Sequence, residues 1–298
     1  MRSSSVAVVQ LINGLFGAGH PLDSIVEYPN TENVSRKLRR LLSDMVIIIN
    51  RVHAYHLETE IGDDENIVIR MFEYGLAEGL RTKTISGDGQ KITVKFPNAK
   101  IIYWETTERT PDEVTLSLEF FDGGSYDYTV KVFKFLDYDT KDLEEKKLVL
   151  LLPFYVLKLR KRVVSAKNSA QRAELGTEMK SMLNDIIAAA ERAVESGLIN
   201  EADGRAVIEY TEKLYRELYQ GYDELKGADV MLKDRILTYS EEAELKGIEK
   251  GIEKGREEGR EEGREEVARS MLARGMALSD IAEIAGLPLD RIQALTQG

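Results

Sequence analysis

Apolar and polar positions recur along this chain with two different periods, and the period changes near residue 140. Residues 6–16 place apolar side chains at helical spacing and stop at Gly17, which predicts a short amphipathic helix. Residues 45–49 (MVIII) are a compact β-branched run, read as a buried strand, and residues 53–61 (HAYHLETEI) as a second strand. Residues 66–80 return to helical spacing, with Ile67, Met71, Tyr74 and Leu80 on one apolar face. Strands are expected again at 91–95, 100–106, 114–121 and 126–135, the last two joined by the turn-forming Asp122-Gly123-Gly124.

From residue 142 to 239 strand signals vanish and charged, Ala- and Leu-rich helical stretches take over. Pro153 is expected to kink or break the first of these helices, and residues 200–204 (NEADG) to form an interhelical turn. Glycine then recurs every fourth residue at Gly247, Gly251, Gly255, Gly259 and Gly263, with Ile-Glu-Lys and Arg-Glu-Glu as spacers. A period of four advances by about 40° per step around a helix, so these glycines form a slowly winding seam. Each costs a helix about 1 kcal/mol relative to Ala, which leaves a self-associating helix or a charged tether as alternatives. At the C-terminus Ser279 is a candidate N-cap, Gly286 a C-cap, and Pro288 precedes a second short helix. The expected divisions are an α/β domain at 1–140, a helical region at 141–240, the repeat at 241–266 and a small two-helix module at 267–298.

Composition narrows this picture. Of 298 residues, 43% are hydrophobic and 31% charged, enough for a core and a solvated surface. With no cysteine, disulfides and thiolate metal sites are excluded, and a cytoplasmic setting is expected. Residues 1–9 carry one Arg and no long apolar stretch, so no cleaved leader is expected. The most apolar run, residues 148–157 (LVLLLPFYVL), falls short of the roughly 20 residues needed to cross a bilayer, so no membrane association is expected. The net charge of −11 argues against a uniformly basic nucleic-acid coat but leaves room for a local basic patch.

The candidate chemistry lies in three carboxylates. Glu58 and Glu60 are two apart on one strand and share a face. If Asn50, Arg51 and Val52 form the loop of a hairpin, Ile49 faces His53 and Asp44 falls opposite Glu58; a two-residue loop shifts the pairing by one position and leaves the two acids neighbours. Carboxylates gathered on one surface repel unless a cation joins them, and hard oxygen ligands suit Mg²⁺ or Mn²⁺. Such an ion activates water and stabilises the charge that develops on a phosphodiester. The alternative is a solvated strand end whose acids pair with nearby Arg.

The pattern D…E-x-E on adjacent strands followed by a helix resembles the PD-(D/E)XK nuclease superfamily, and more narrowly the Rpn-type recombination-promoting nucleases, also called PD-(D/E)XK family transposases. The resemblance rests on residues 11–32 (LINGLFGAGHPLDSIVEYPNTE), Ser43-Asp44, Leu57-Glu58-Thr59-Glu60, Arg70 to Tyr74 (RMFEY), Thr110-Pro111-Asp112-Glu113, Tyr126-Asp127-Tyr128, residues 146–155 (KKLVLLLPFY) and the glycine-repeat tail. It implies a PD-(D/E)XK (restriction-endonuclease-like) α/β core with a helical C-terminal region. The implied activity is metal-dependent DNA endonuclease chemistry in a recombination or mobile-element setting. It also implies Asp44 and Glu58 as metal ligands, with the Thr59 carbonyl as a third. At position 60 the superfamily usually carries Lys and this family often Gln. Glu60 therefore either binds metal, acts as a general base, or marks a degenerate site. In that last case the protein is a DNA-associated or self-assembling scaffold.

Arg70 and Tyr74 lie four apart on one helix face; they either contact phosphate and brace the site, or pair with a carboxylate and fill the core. Arg36, Lys37, Arg39 and Arg40 are candidate DNA-phosphate contacts or a charged loop. Glu27 and Glu32 are extra acids, against plain surface exposure. A second basic run, residues 158–167, reads as a solvated helix face. His53 and His56 face opposite sides of their strand, which disfavours a zinc site, and Trp104 is assigned to the core. The last 20 or so residues have helix-turn-helix spacing, but with Arg291 their one basic residue on the second helix they read as a packing or assembly module.

Overall fold

The computed structural model describes residues 4–28, 45–62 and 64–295, apart from the side chains of residues 243, 246 and 250. The protein is mixed α/β and forms two compact units, Met1–Ile236 and Leu237–Gly298.

The first unit opens with α1 (Ser5–Phe16), capped by the Ser4 hydroxyl on the Ala7 amide and closed by Gly17 in the left-handed region. Strands β1 (Val26–Glu27), β2 (Met45–Ile49) and β3 (His53–Glu60) follow, then α2 (Ile67–Arg81). The short hairpin of β4 (Thr84–Ile85) and β5 (Ile92–Thr93) stands apart as its own two-stranded sheet. Strands β6 (Asn98–Tyr103), β7 (Glu113–Glu119) and β8 (Ser125–Lys134) complete a six-stranded sheet of order β1-β2-β3-β6-β8-β7. Its centre, β3, β6 and β8, is parallel, and both margins are antiparallel.

The β2–β3 connection shows why this hairpin has one register. Asn50 and Arg51 both take positive φ, 52° and 59°, the pair of left-handed residues that a tight hairpin turn needs. Val52 is the extra residue, and Ile49 pairs with His53 as a three-residue loop requires. The Asn50 side chain ties the turn to β1, accepting from the Ile25 amide at 2.9 Å.

The two sheet faces differ. On one, α2 buries Ile67, Val68 and Met71 against Ile101, Tyr103 and Val130. Gly75 and Gly79 continue that stripe; a Cβ on Gly75 would stand 2.6 Å from the Phe96 ring. On the other face α1 is buried along most of its length, and Trp104, Phe135 and Phe154 stack where β6 and β8 end. Phe154 belongs to an 11-residue 3₁₀ stretch, Val149–Leu159, containing Pro153. Proline removes an amide donor and crowds the preceding turn, and here the outcome is a tightened helix rather than a kinked α-helix. Next come α3 (Thr140–Glu145), α4 (Arg160–Ser165), α5 (Ser169–Glu195) and α6 (Glu201–Tyr219). Residues 201–204, expected as a turn, are the first turn of α6, because the Asn200 side chain caps the Asp203 amide.

In the second unit the glycine repeat is helical throughout, within α7 (Val230–Ala273). A Cβ on any of the five repeat glycines would meet nothing within 4 Å, so the seam is open. Helices α8 (Leu278–Ala285) and α9 (Leu289–Leu295) close on a small core of Ala268, Ile281, Ala285, Leu287 and Ile292. Gly286 is the left-handed C-cap of α8, whereas Ser279 lies inside that helix and Ala277 occupies the N-cap. Among the described residues no helix is long and apolar enough to cross a membrane.

Gly14 offers a direct test of packing in the first unit. A Cβ there would fall 2.1 Å from the Lys146 carbonyl oxygen and 2.8 Å from Leu148. Gly14→Ala is expected to destabilise the fold by about 1–3 kcal/mol in denaturant titrations, the usual cost of overpacking. Gly19→Ala, with open space around it, serves as the near-neutral control.

Candidate functional site: a buried carboxylate held by Arg70

Strand β3 becomes progressively buried from His53 and is still buried at Glu58, whose residue exposure is only 2%. A carboxylate in that position requires compensation. Alternation along the strand places His56, Glu58 and Glu60 on the face covered by α2, and Glu58 pairs in register with Ile101 and Glu60 with Tyr103, both in the core under that helix.

Compensation comes from Arg70, one turn into α2. Its Nη2 donates to Glu58 Oε1 and to Glu60 Oε1, each at 2.7 Å, and its Nη1 to Asp64. One guanidinium thus holds three carboxylates. The hydrogen bond to Glu58 raises the Arg70 pKa most, with those to Glu60 and Asp64 adding to it, so this cation persists at every accessible pH. His56 Nε2 lies 3.8 Å from Glu58 Oε2, and the Tyr74 ring meets the His56 ring edge-on at 5.7 Å. The Arg70 and Tyr74 side chains therefore share one rim of α2, as their spacing requires, while Tyr74 is 45% exposed rather than core.

Asp64 was not among the expected site residues. It precedes α2, and its Oδ1 accepts from the Asn66 amide at 2.8 Å, starting the helix in place of a side-chain cap from Asn66. A carboxylate two residues before the N-cap is the clue in the sequence, since such groups satisfy orphan amides.

The other candidates divide. Thr59 lies between the two glutamates on β3. Glu27 is at the turn end of the hairpin, paired with Arg51 at 2.9 Å, and is not gathered with Glu58. Asp44, Glu32 and the basic residues Arg36, Lys37, Arg39 and Arg40 lie outside the described residues. The hairpin register is described as far as Met45 opposite Leu57. His53 and His56 occupy opposite faces; His53 packs near His20, 5.0 Å between ring centres. Arg291 on α9 is engaged by Glu265 at 2.6 Å.

The donor set fits a hard divalent cation in kind, because Glu58, Glu60 and the Thr59 carbonyl are all oxygen donors. Among the described residues the cluster holds three carboxylates and one guanidinium, a surplus of negative charge. Compared with protein-family models, curated proteins and solved structures, the chain finds no match.

The Asp64 carboxyl is held below the ordinary carboxylate range, first by the Asn66 amide and then by Arg70. A depressed carboxylate stabilises the fold above its unfolded pKa, and that contribution is lost as pH falls through the folded value. Asp64→Asn is expected to lower the melting temperature at pH 7 by roughly 1–4 °C, the scale of a partly exposed ion pair in a chain this long. The gap from wild type should close below about pH 4, where the unfolded carboxylate binds its proton; melting curves between acid and neutral pH check this.

Proposed function

We propose that the corner formed by β3 and α2 is the active site of a Mg²⁺- or Mn²⁺-dependent DNA endonuclease with a PD-(D/E)XK core. The single observation that carries this reading is the burial of Glu58 beside Glu60 under a guanidinium supplied by the following helix. The hairpin-then-helix order of β2, β3 and α2 accords with the resemblance. Asp44, Glu58 and the Thr59 carbonyl would hold the metal, with Glu60 as a further donor. When bound, the ion supplies a water of lowered pKa and charge stabilisation for the phosphodiester.

The chain's own groups have separable tasks. Arg70 fixes the rotamers of Glu58 and Glu60, an outer-shell role of the kind that orients metal ligands. Glu60, whose side chain is 27% exposed, would serve either as that further donor or as the base that takes a proton from an attacking water. The recombination setting is part of what the resemblance implies and is proposed on that footing.

A second reading is supported by the same guanidinium. Arg70 already neutralises part of the carboxylate charge, as a degenerate corner retained for stability also would. The protein is then a DNA-associated scaffold that self-assembles along the open glycine seam of α7.

Purified protein is expected to nick or linearise plasmid DNA with Mg²⁺ or Mn²⁺. Glu58→Gln and Asp44→Ala should reduce the rate at least about 10²-fold, and Arg70→Ala by about 10–100-fold, with Arg70→Lys partly restoring it. Cleavage that is indifferent to Glu58 and Asp44, or absent with every divalent metal, sinks the nuclease reading. For the scaffold reading, sedimentation of the intact chain should show a dimer or larger species that Gly255→Leu disperses; a monomer at micromolar concentration removes it.

A further inference from the structure

We propose that the basic cleft at the start of α4 is a second contact surface for DNA, receiving backbone phosphates of a strand that crosses the carboxylate corner; this rests on the nuclease reading above. The cleft has a volume of about 510 Å³ and is lined by Glu105, Arg160, Lys161, Arg162, Val164 and Ser165. Three cations and one carboxylate make it locally positive in a chain whose net charge is −11.

Register and hydrogen bonds locate the cleft. Glu60 pairs with Tyr103, the Trp104 amide donates to the Glu60 carbonyl at 2.8 Å, and Glu105 follows directly. Paired strands lie about 4.8 Å apart and two residues of chain reach about 7 Å, so the Cα atoms of Glu60 and Glu105 are within roughly 12 Å. Nucleotides rise about 3.4 Å each along one strand, which makes that interval at most about four nucleotides. Glu60 and Glu105 therefore both lie at the C-terminal end of the parallel strands β3 and β6.

The cations are held ready rather than consumed. Glu105, 9% exposed, anchors Arg160 at 2.6 Å and Lys161 at 3.2 Å. The Arg162 partner, Glu178, is a well-exposed carboxylate on α5. The Lys161 and Arg162 side chains are themselves 60% and 58% exposed. The Arg162–Glu178 pair is exposed on both sides and contributes little to stability, and Lys161 makes the longer of the two contacts to Glu105, so a phosphate can draw on both cations while Arg160 stays on Glu105. Guanidinium and ammonium groups side by side are a common phosphate-contacting set.

The test uses the full chain and a fluorescein-labelled duplex of about 20 base pairs, with Ca²⁺ in place of Mg²⁺. Affinity is read by anisotropy between about 50 and 200 mM salt for wild type and for Lys161→Ala/Arg162→Ala. Arg160 is left intact so that the buried Glu105 keeps its shorter contact, 2.6 Å against 3.2 Å for Lys161. Removing two phosphate contacts lowers the salt slope by about 1.8, so over this range wild-type affinity should fall about 12-fold more than that of the variant. Lys161→Arg/Arg162→Lys should keep the wild-type slope, which separates charge from any local unfolding. Equal slopes for wild type and the alanine variant overturn the cleft, as does a wild type that binds no duplex. Plasmid cleavage by wild type and Glu58→Gln is followed in parallel. Equal slopes with Glu58-dependent cleavage remove the cleft and leave the nuclease reading standing. Different slopes with intact plasmid support the cleft as a DNA surface and remove the nuclease reading.

Discussion

A carboxylate taken out of water costs several kcal/mol unless a cation and hydrogen bonds meet it. Glu58 sets that requirement at the end of a central strand, and much of the first unit meets it. Helix α2 must lie across the sheet closely enough for Arg70 to reach β3. It does so because Ile67, Val68 and Met71 bury on the sheet while Gly75 and Gly79 admit the residues 94–96 segment on the same stripe. The loop before α2 must bring in Asp64, which serves the helix start and the guanidinium together. Fold and charge are therefore coupled here, since breaking the pair would leave a buried charge rather than an empty space.

The opposite face of the sheet carries less electrostatic tension. There Lys100 reaches the Leu15 carbonyl at the end of α1 and lies over the Phe16 ring, a cation placed where a helix end offers negative potential. Burial lowers the Lys100 pKa, with Lys131 adding to the effect. The Asn13 side chain bridges the His20 backbone on both sides at 2.9 Å, holding His20 against Tyr55. These contacts anchor α1 as a layer between the sheet and the later helices, where Ser4 is bonded to the buried Asp203 of α6. Residues after 140 thus share a core with the strands that precede them.

What was legible in sequence followed from periodicity and loop length. A connection of two or three residues fixes the hairpin register to within one position, and the pairing of Ile49 with His53 is the three-residue case. The shared rim of Arg70 and Tyr74 likewise follows from four-residue spacing. The partnership of Asp64 with Arg70 was illegible because it depends on an irregular loop, which has no period to read. The 3₁₀ stretch was illegible for another reason: Pro153 announces disturbance but not its form, and the tightening is settled by packing of Leu151, Leu152 and Phe154. Residues 91–95 had strand composition, yet among the described residues the strand is confined to Ile92 and Thr93, paired with the two-residue β4. The basic run 158–167 was read from composition as solvent-facing, and its pairing with Glu105 across 55 residues lies beyond any local rule.

The same distinction bears on position 60. A lysine on the strand would supply its positive charge from a side chain two residues beyond Glu58. Here Glu60 puts another carboxylate there, and the positive charge comes from the adjacent helix through Arg70, within 2.7 Å of both glutamates. A guanidinium is planar, permanently charged and able to bridge two carboxylates, which an ammonium on a neighbouring strand position does less well. On the proposed function, the cation that attends the carboxylates has changed its address rather than been lost. Its cost is rigidity, because a group bonded to three acids cannot swing toward a phosphate without releasing one of them. The partly exposed Glu60 and Asp64, rather than buried Glu58, are the contacts whose release costs least.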